Sequence, residues 1–375
     1  MVGNVSAAYP NCFSVSGPEW SAARMTSPGA AGMKVGLVGF AGSGKSTVFQ
    51  WLTGVAPDLA AASRGQLGMA RVPDERLDWL SGHFKPKKTT YATLAIVDTP
   101  GLLVGERGDN PRRLGILREA DGLLVVLNGF GGGDLVQELE NFRAEIAFAD
   151  LDIVTGRMQR LEGQLKKPRP AKERDADQAE LELLHRIVTV LEAGQSPLTL
   201  GLGPDQEKTI RSFQLLTLKT EMVFVNQAES TSPIPERLRQ MAPNLVAAPV
   251  KLEMEILELP EADRASFMAD LGLAGLTRGA GIRAGFAGLG QIVFLTVGGG
   301  ECRAWPIRQG MPAQPAAGAI HTDLATGFIR AEVVPFPDFK ELGSMKEAKA
   351  RGVYRLEGKT YIVQDGDIMH VMANK

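Results

Sequence analysis

The chain has 375 residues, 44% of them hydrophobic and 22% charged, with a mean hydropathy of −0.04, so it can bury sizeable cores and at this length is expected to divide them among two or three domains. Lys plus Arg of 41 against Asp plus Glu of 43 gives a formal net charge of −2 and an isoelectric point near 6.2, which excludes whole-chain basicity as a nucleic-acid signal and leaves only a local patch for such a partner. No apolar run approaches the ~18–20 residues that cross a bilayer, and the two cysteines, Cys12 and Cys302, are too few for a disulfide framework or a zinc site, which fits a reducing cytoplasm.

Residues 1–32 mix Ser, Ala, Gly, Pro and Asn without periodicity and lack the basic start and apolar stretch of a secretory signal. They are expected to be a disordered N-terminal extension, and Met25 and Met33 leave a mis-assigned start open. The strongest signal begins at Val35. The apolar strand Val35-Gly36-Leu37-Val38 runs into Gly39-Phe40-Ala41-Gly42-Ser43-Gly44-Lys45-Ser46, and a helix-like run follows through Val48, Phe49, Trp51 and Leu52. Strand, glycine-rich loop and helix in that order form a phosphate loop. Gly39, Ala41, Gly42, Ser43, Gly44, Lys45, Ser46 and Thr47 are its candidate nucleotide-binding residues: backbone N–H groups turn onto the phosphates, Lys45 reaches the β- and γ-oxygens, and the Ser46 hydroxyl ligates Mg²⁺.

A second strand, Leu94-Ala95-Ile96-Val97, ends in Asp98-Thr99-Pro100-Gly101. Asp98 at a strand end can hold Mg²⁺ through a water, and the Gly101 N–H can meet the γ-phosphate, so Ser46 and Asp98 are the candidate metal residues and Lys45 and Gly101 the candidate catalytic ones. By itself Asp-Thr-Pro-Gly is also a good turn. About fifty residues after a phosphate loop, it points to a GTPase-like switch protein.

Later apolar runs, Leu123–Leu127, Met222–Val225 and Leu245–Val250, are continuous rather than alternating, which predicts a parallel sheet covered on both faces. The fourth strand delivers Asn226-Gln227-Ala228-Glu229 to the place where GTPases carry Asn-Lys-x-Asp. There the carboxylate accepts from guanine N1–H and N2–H₂. Adenine offers an acceptor at N1 and no 2-amino group, and the longer Glu229 would not sit in the Asp position, so Asn226, Gln227 and Glu229 describe an altered base pocket.

Between the third and fourth strands lies an insertion far longer than an ordinary crossover. Leu151, Val154, Met158, Leu161 and Leu165 step by 3, 4, 3, 4, and Leu181, Leu184, Val188 and Leu191 step by 3, 4, 3, a heptad seam in each direction. Two short helices are expected to pair as an antiparallel coiled-coil arm. The tip, Lys166-Lys167-Pro168-Arg169-Pro170-Ala171-Lys172-Glu173-Arg174, carries five bases and one acid between helix-stopping prolines, either a solvated loop or a contact for RNA phosphates. From about Gly290 the texture changes to short β-rich stretches, Ile292–Leu295, Gly327–Val333 and Tyr361–Val363, with a turn at Gln364–Asp367, so a small separate α+β domain is expected. His321 and His370 have no partners at metal-ligand spacing and are read as structural.

This order of motifs resembles the YchF / Obg-like ATPase family over residues 33–374. The resemblance is carried most specifically by Val72-Pro73-Asp74-Glu75-Arg76-Leu77, Ala179–Leu184, Arg303–Gly310, Ala316–Asp323, Gly327–Val333 and Arg355–Asp367. It implies an α/β fold with a P-loop GTPase-like parallel sheet in residues 33–150 and 222–289, an inserted antiparallel coiled-coil arm in 151–221, and a C-terminal β-grasp (TGS) domain in 290–375. It also implies a cytoplasmic Mg²⁺-dependent hydrolase that takes ATP in preference to GTP and meets the ribosome or ribosomal RNA through the arm and the TGS domain; membranes and DNA are not expected partners. A hydrophobic residue replaces the catalytic glutamine in the family, and Leu102 fills that position.

Four departures touch the nucleotide site. Gly42 stands where the family carries the asparagine associated with potassium-assisted catalysis. Ala62, with Ser63 beside it, stands where switch I supplies a threonine. Gly131-Gly132-Gly133-Asp134 replaces the His-x-x-Gly segment, and Pro249-Val250-Lys251 replaces Ser-Ala-Lys. Slow hydrolysis is therefore one expectation and a nucleotide-dependent switch or RNA-binding scaffold without turnover the other.

Overall fold

The computed structural model describes residues 33–103, 109–228, 232–298 and 300–374. The disordered extension expected over 1–32 and the base-pocket residue Glu229 lie outside the described residues. Among the described residues the strands are β1 (Lys34–Val38), β2 (Gln66–Arg71), β3 (Lys88–Thr90), β4 (Thr93–Asp98), β5 (Gly122–Gly129), β6 (Thr220–Gln227), β7 (Val246–Ala248), β8 (Gln291–Gly298), β9 (Glu301–Arg308), β10 (Phe328–Pro335), β11 (Arg355–Glu357) and β12 (Asp367–Ala373). They build two six-stranded sheets, in the orders β2-β4-β1-β5-β6-β7 and β11-β10-β12-β8-β9-β3.

In the first sheet β4, β1, β5, β6 and β7 are parallel, as the continuous apolar runs predict. One side is packed by the helices Lys45–Thr53 and Arg278–Gly288 through Phe49, Trp51, Leu52, Ile282 and Phe286, and the helix Glu75–Phe84 adds Leu77 and Leu80 to the same cluster from beside β9. The other is packed by Leu114, Leu139, Phe142 and Leu238. The edge strand β2 departs from the parallel expectation and runs antiparallel to β4. Its pattern is inverted: Gly68 and Ala70 face inward while Leu67 and Met69 are exposed. A Cβ on Gly68 would stand 2.8 Å from the Phe49 ring, so the helix demands small residues where a pattern search looks for large ones.

β7 is shorter than the run Leu245–Val250, because Pro249 has no N–H for the ladder and caps the helix Val250–Glu258. The arm is also not two short helices. Its first helix is a 31-residue extension of the crossover, Leu135–Leu165, and the second spans Ala171–Glu192. Val154, Met158 and Leu161 meet Leu181, Leu184, Ile187 and Leu191 in one cluster that also takes Ile210 and Leu215 from the return segment. The seam is thus roofed on one side, which a free coiled coil would not need.

The second sheet has parallel β8 and β12 beside each other, the hairpin β8–β9, and β10 antiparallel to β12, a β-grasp arrangement. Tyr361–Val363 is not a strand: Ile362 makes only an isolated bridge to Pro312. Nor is the sheet self-contained, because its edge strand β3 comes from within residues 33–150 and pairs in parallel with β9. The buried cluster around Phe49 and Ile96 continues without a break through Leu295, Cys302, Phe336 and Phe339 of the C-terminal sheet. Arg76 adds a polar clasp, gripping Asp74 at 2.8–2.9 Å and reaching Asp365 at 2.8 Å, while Asp365 accepts from Val293 N–H.

Candidate functional site

β1 enters the loop Gly39–Gly44, and Lys45 opens the helix Lys45–Thr53. Gly44 has φ 81°, and a Cβ there would lie 2.2 Å from the Asn226 side-chain nitrogen, so only glycine turns the loop at that point without strain. Gly39 and Gly42 also have positive φ, 152° and 85°. Lys45 is buried and donates to the Phe40 carbonyl at 2.8 Å, which closes the loop around its ammonium. Burial pushes the Lys45 pKa down to about 8, opposed by the charges of Asp98 and Glu138 and assisted by that of Arg113.

The Ser46 hydroxyl donates to Asp98 Oδ2 at 3.2 Å. Asp98 is fully buried, and burial raises its pKa against the Ser46 hydrogen bond and the Lys45 charge, which lower it. Its second oxygen, Oδ1, has no hydrogen-bond partner, and neither has the buried hydroxyl of Ser43. Orphaned polar atoms of this kind are costly unless a ligand or ion completes them. A serine hydroxyl and one carboxylate, with no cluster of three His, Cys, Asp or Glu side chains among the described residues, match Mg²⁺, which takes few protein ligands and keeps water and phosphate oxygens. The residues therefore fit the ion.

Gly101 lies directly against the loop: a Cβ there would be 2.7 Å from Ala41 Cα and 3.0 Å from Lys45 Nζ. Leu102, in the glutamine position, is 1% exposed and packs with Phe40, Leu114 and Leu117. Its backbone is zipped to the loop by Ala41 N–H to Leu102 O at 2.8 Å and Leu102 N–H to Gly39 O at 3.0 Å. Leu103 is clamped in turn by the buried Asn110 side chain. On the switch I side, Ala62 is buried and Ser63 turns its hydroxyl back onto the Ala60 carbonyl.

At the base side, Asn226 donates to the Ser43 carbonyl at 3.3 Å and Gln227 to the Ser232 carbonyl at 2.7 Å. Ala41 and Gly42 are exposed and Thr47 half-buried in the first turn of the helix. The structure thus brings Gly39, Ala41, Gly42, Ser43, Gly44, Lys45, Ser46, Thr47, Asp98, Gly101, Asn226 and Gln227 to one region. Three further residues join them that the motifs do not signal: Asn128, which donates to Gly42 O at 3.5 Å; Glu138, which accepts from Asn128 N–H at 3.0 Å; and Arg113, which donates to Gly101 O. No spacing rule flags them, because they arrive from the end of β5 and from two helices that only the folded sheet brings alongside.

A phosphate loop zipped to an Asp-x-x-Gly strand end at the carboxyl edge of a parallel-rich sheet defines a P-loop NTPase of the GTPase class. Family models agree: residues 34–155 match that of a "50S ribosome-binding GTPase", and residues 291–374 match the YchF-GTPase C-terminal domain, described as a protein of unknown function. The chain is 36% identical over 368 residues to the ribosome-binding ATPase YchF of Haemophilus influenzae, covering 92% of this chain and 99% of that protein. It is 33% identical to Obg-like ATPase 1 of Oryza sativa subsp. japonica, covering 91% and 92%. The solved structure of the Schizosaccharomyces pombe YchF GTPase superposes with a TM-score of 0.74 at 25% identity, covering 91% of this chain and 97% of that one. The chain belongs to the YchF / Obg-like ATPase family.

Proposed function

We propose that the protein binds Mg²⁺–ATP at the loop Gly39–Thr47, hydrolyses it slowly, and does so in association with the ribosome. The observation that carries this is the Ser46–Asp98 pair with its orphaned Asp98 Oδ1, set beside the Lys45 ammonium at the start of a helix whose first-turn amides suit a phosphate. Lys45 bridges to the β- and γ-oxygens, Ser46 and Asp98 hold the ion, and the Gly101 N–H orients the terminal phosphate. Bound Mg²⁺ supplies charge neutralisation of the phosphate oxygens. The buried Leu102 orients no water, which favours slow turnover and makes the switch without turnover the second reading. Titration with labelled ATP and GTP followed by a single-turnover assay tests it: absence of nucleotide binding would refute the proposal, and binding without phosphate release would leave the switch.

ATP is expected to bind more tightly than GTP, because Gln227 stands where a guanine site has lysine and its amide is held by Ser232. Tenfold tighter GTP binding, about 1.4 kcal/mol, would sink this.

The domain division and partners follow from the same reading: an arm over 151–221 and the TGS domain over 290–375 present the ribosomal contacts. All five bases of the arm tip are exposed, but Arg169 is tied back to Glu173 at 3.1 Å and to Asp177, whereas Lys166, Lys167, Lys172 and Arg174 form no ion pair among the described residues. Neutralising these four should lower the log–log salt slope of ribosome co-sedimentation by roughly 0.7–0.9 per lost phosphate contact. Neutralising Arg169 alone should change it little. A slope that does not move would return the tip to a solvated loop.

A further inference from the structure

Arg113 lies outside every motif, on the short helix Asn110–Gly115 that follows Gly101 in the chain. It is half-buried, and its Nη1 donates to the carbonyl of Gly101, the residue packed against Ala41 and Lys45 Nζ. Its charge is felt by Lys45, whose pKa, lowered above all by burial, it helps to depress. No carboxylate lies within salt-bridge distance of it among the described residues, whereas Arg118, one turn further on, is paired with buried Asp150 at 2.8 Å. Of the two carboxylates whose charges act on Lys45, Asp98 accepts from Ser46 through Oδ2 and Glu138 accepts from the Asn128 N–H.

A guanidinium has five donors. One carbonyl leaves most of them unused, and holding the group beside a second cation is unfavourable unless an anion comes between them. The anion delivered to the Lys45–Gly101 contact by the reading above is the terminal phosphate of the nucleotide. We propose that Arg113 is a built-in arginine for that phosphate, carried to it by the Gly101 carbonyl and contacting it only when a third phosphate is present. The role rests on the site binding nucleoside triphosphate. During hydrolysis a water oxygen bonds to the γ-phosphorus, and the bond from that phosphorus to the β–γ bridging oxygen breaks with its electron pair leaving on the diphosphate. The water's proton ends on the released phosphate or in solvent. Arg113 opposes the negative charge spread over the transferring group, the part an arginine supplied within the same chain plays in other NTPases.

The test uses the full chain with Arg113→Ala, Arg113→Lys and, as control, the exposed neighbour Arg112→Ala, and measures dissociation constants for ADP and for a non-hydrolysable ATP analogue together with single-turnover rates. Arg113→Ala should leave ADP affinity within about twofold, weaken the analogue about tenfold, the value of one charge-assisted hydrogen bond, and slow turnover at least about tenfold. Arg113→Lys should recover part of the analogue affinity, and Arg112→Ala should match the wild type. Retained ADP affinity shows that the variant site is folded. An unchanged ratio of analogue to ADP affinity in Arg113→Ala would overturn the role of Arg113 while leaving the nucleotide site intact. Failure of the wild type to bind either nucleotide would overturn the site itself.

Discussion

Lys45→Ala is expected to abolish nucleotide binding, with affinity for ATP falling by at least about a hundredfold. On the proposed reading the ammonium would make charge-assisted hydrogen bonds to two phosphates, each contributing about 1.5–3 kcal/mol, so the loss of both would outweigh any other single contact in the loop. The same side chain sets a pH dependence whose sign follows from its environment. Without nucleotide the Lys45 pKa is down near 8 because the group is buried, whereas a bound triphosphate favours the charged form and raises it. Above pH 8 binding must therefore be accompanied by proton uptake, and ATP affinity should fall by up to about tenfold per pH unit, or about 1.4 kcal/mol. Below pH 7 this contribution is constant, since the amine is charged in both states. Calorimetric titrations in buffers of different ionisation enthalpy check this directly. Wild-type affinity that stays flat between pH 8 and 9.5 would show that Lys45 keeps its charge across that range without nucleotide.

Leu102→Gln is expected to damage stability without creating a fast enzyme. Leu102 is packed among Phe40, Leu114 and Leu117 and pinned on both sides by backbone hydrogen bonds to Ala41 and Gly39, so a glutamine there would bury an amide in an apolar pocket. Loss of the leucine packing and desolvation of the amide together cost about 2–4 kcal/mol, readable as a shift in a urea unfolding midpoint. Turnover should stay on the order of 10⁻³ s⁻¹ or below, the range of a GTPase without its activator, because on the proposed reading the switch I position falls at Ala62, which has no side-chain oxygen, and the Ser63 hydroxyl beside it is bonded to Ala60. Exchanging Na⁺ for K⁺ should leave the rate nearly unchanged, since Gly42 offers no side-chain oxygen to a monovalent ion. Strong K⁺ stimulation, or turnover near 1 s⁻¹ in the isolated protein, would show that the attacking water is positioned by groups other than these.

The phosphate loop, the Asp98 strand end, the Asn226 strand end and the seam of the arm are legible along the chain, because each is a local statement. Glycines are needed where backbone φ turns positive, continuous apolar runs are needed where a strand is covered on both faces, and a 3–4 step is needed where one helix meets another. β2 is not legible, since its inner residues are Gly68 and Ala70 and their size is set by Phe49 of a helix that crosses them. The length of the first arm helix is hidden as well: nothing at Leu151 stops the crossover helix that begins at Leu135, so the insertion grows out of the sheet rather than being added to it.

Tertiary structure alone decided how the two sheets are joined and which side chains lie beside the phosphate loop. β3 is only three residues, Lys88–Thr90, too short a run to be read as a strand from sequence, and it becomes one because β9 offers an unpaired edge whose N–H and C=O groups need partners. Arg76 and Asp365, 289 residues apart, meet only after both domains fold. Asn128, Glu138 and Arg113 reach the phosphate loop from different elements, and whether a charge ends on a carboxylate, as Arg118 does on Asp150, or on a backbone carbonyl, as Arg113 does on Gly101, depends on the distances between elements. The order of residues specifies which groups exist and which segments become strand or helix; electrostatics between groups far apart in the chain is fixed only when packing sets their separation and removes the water between them.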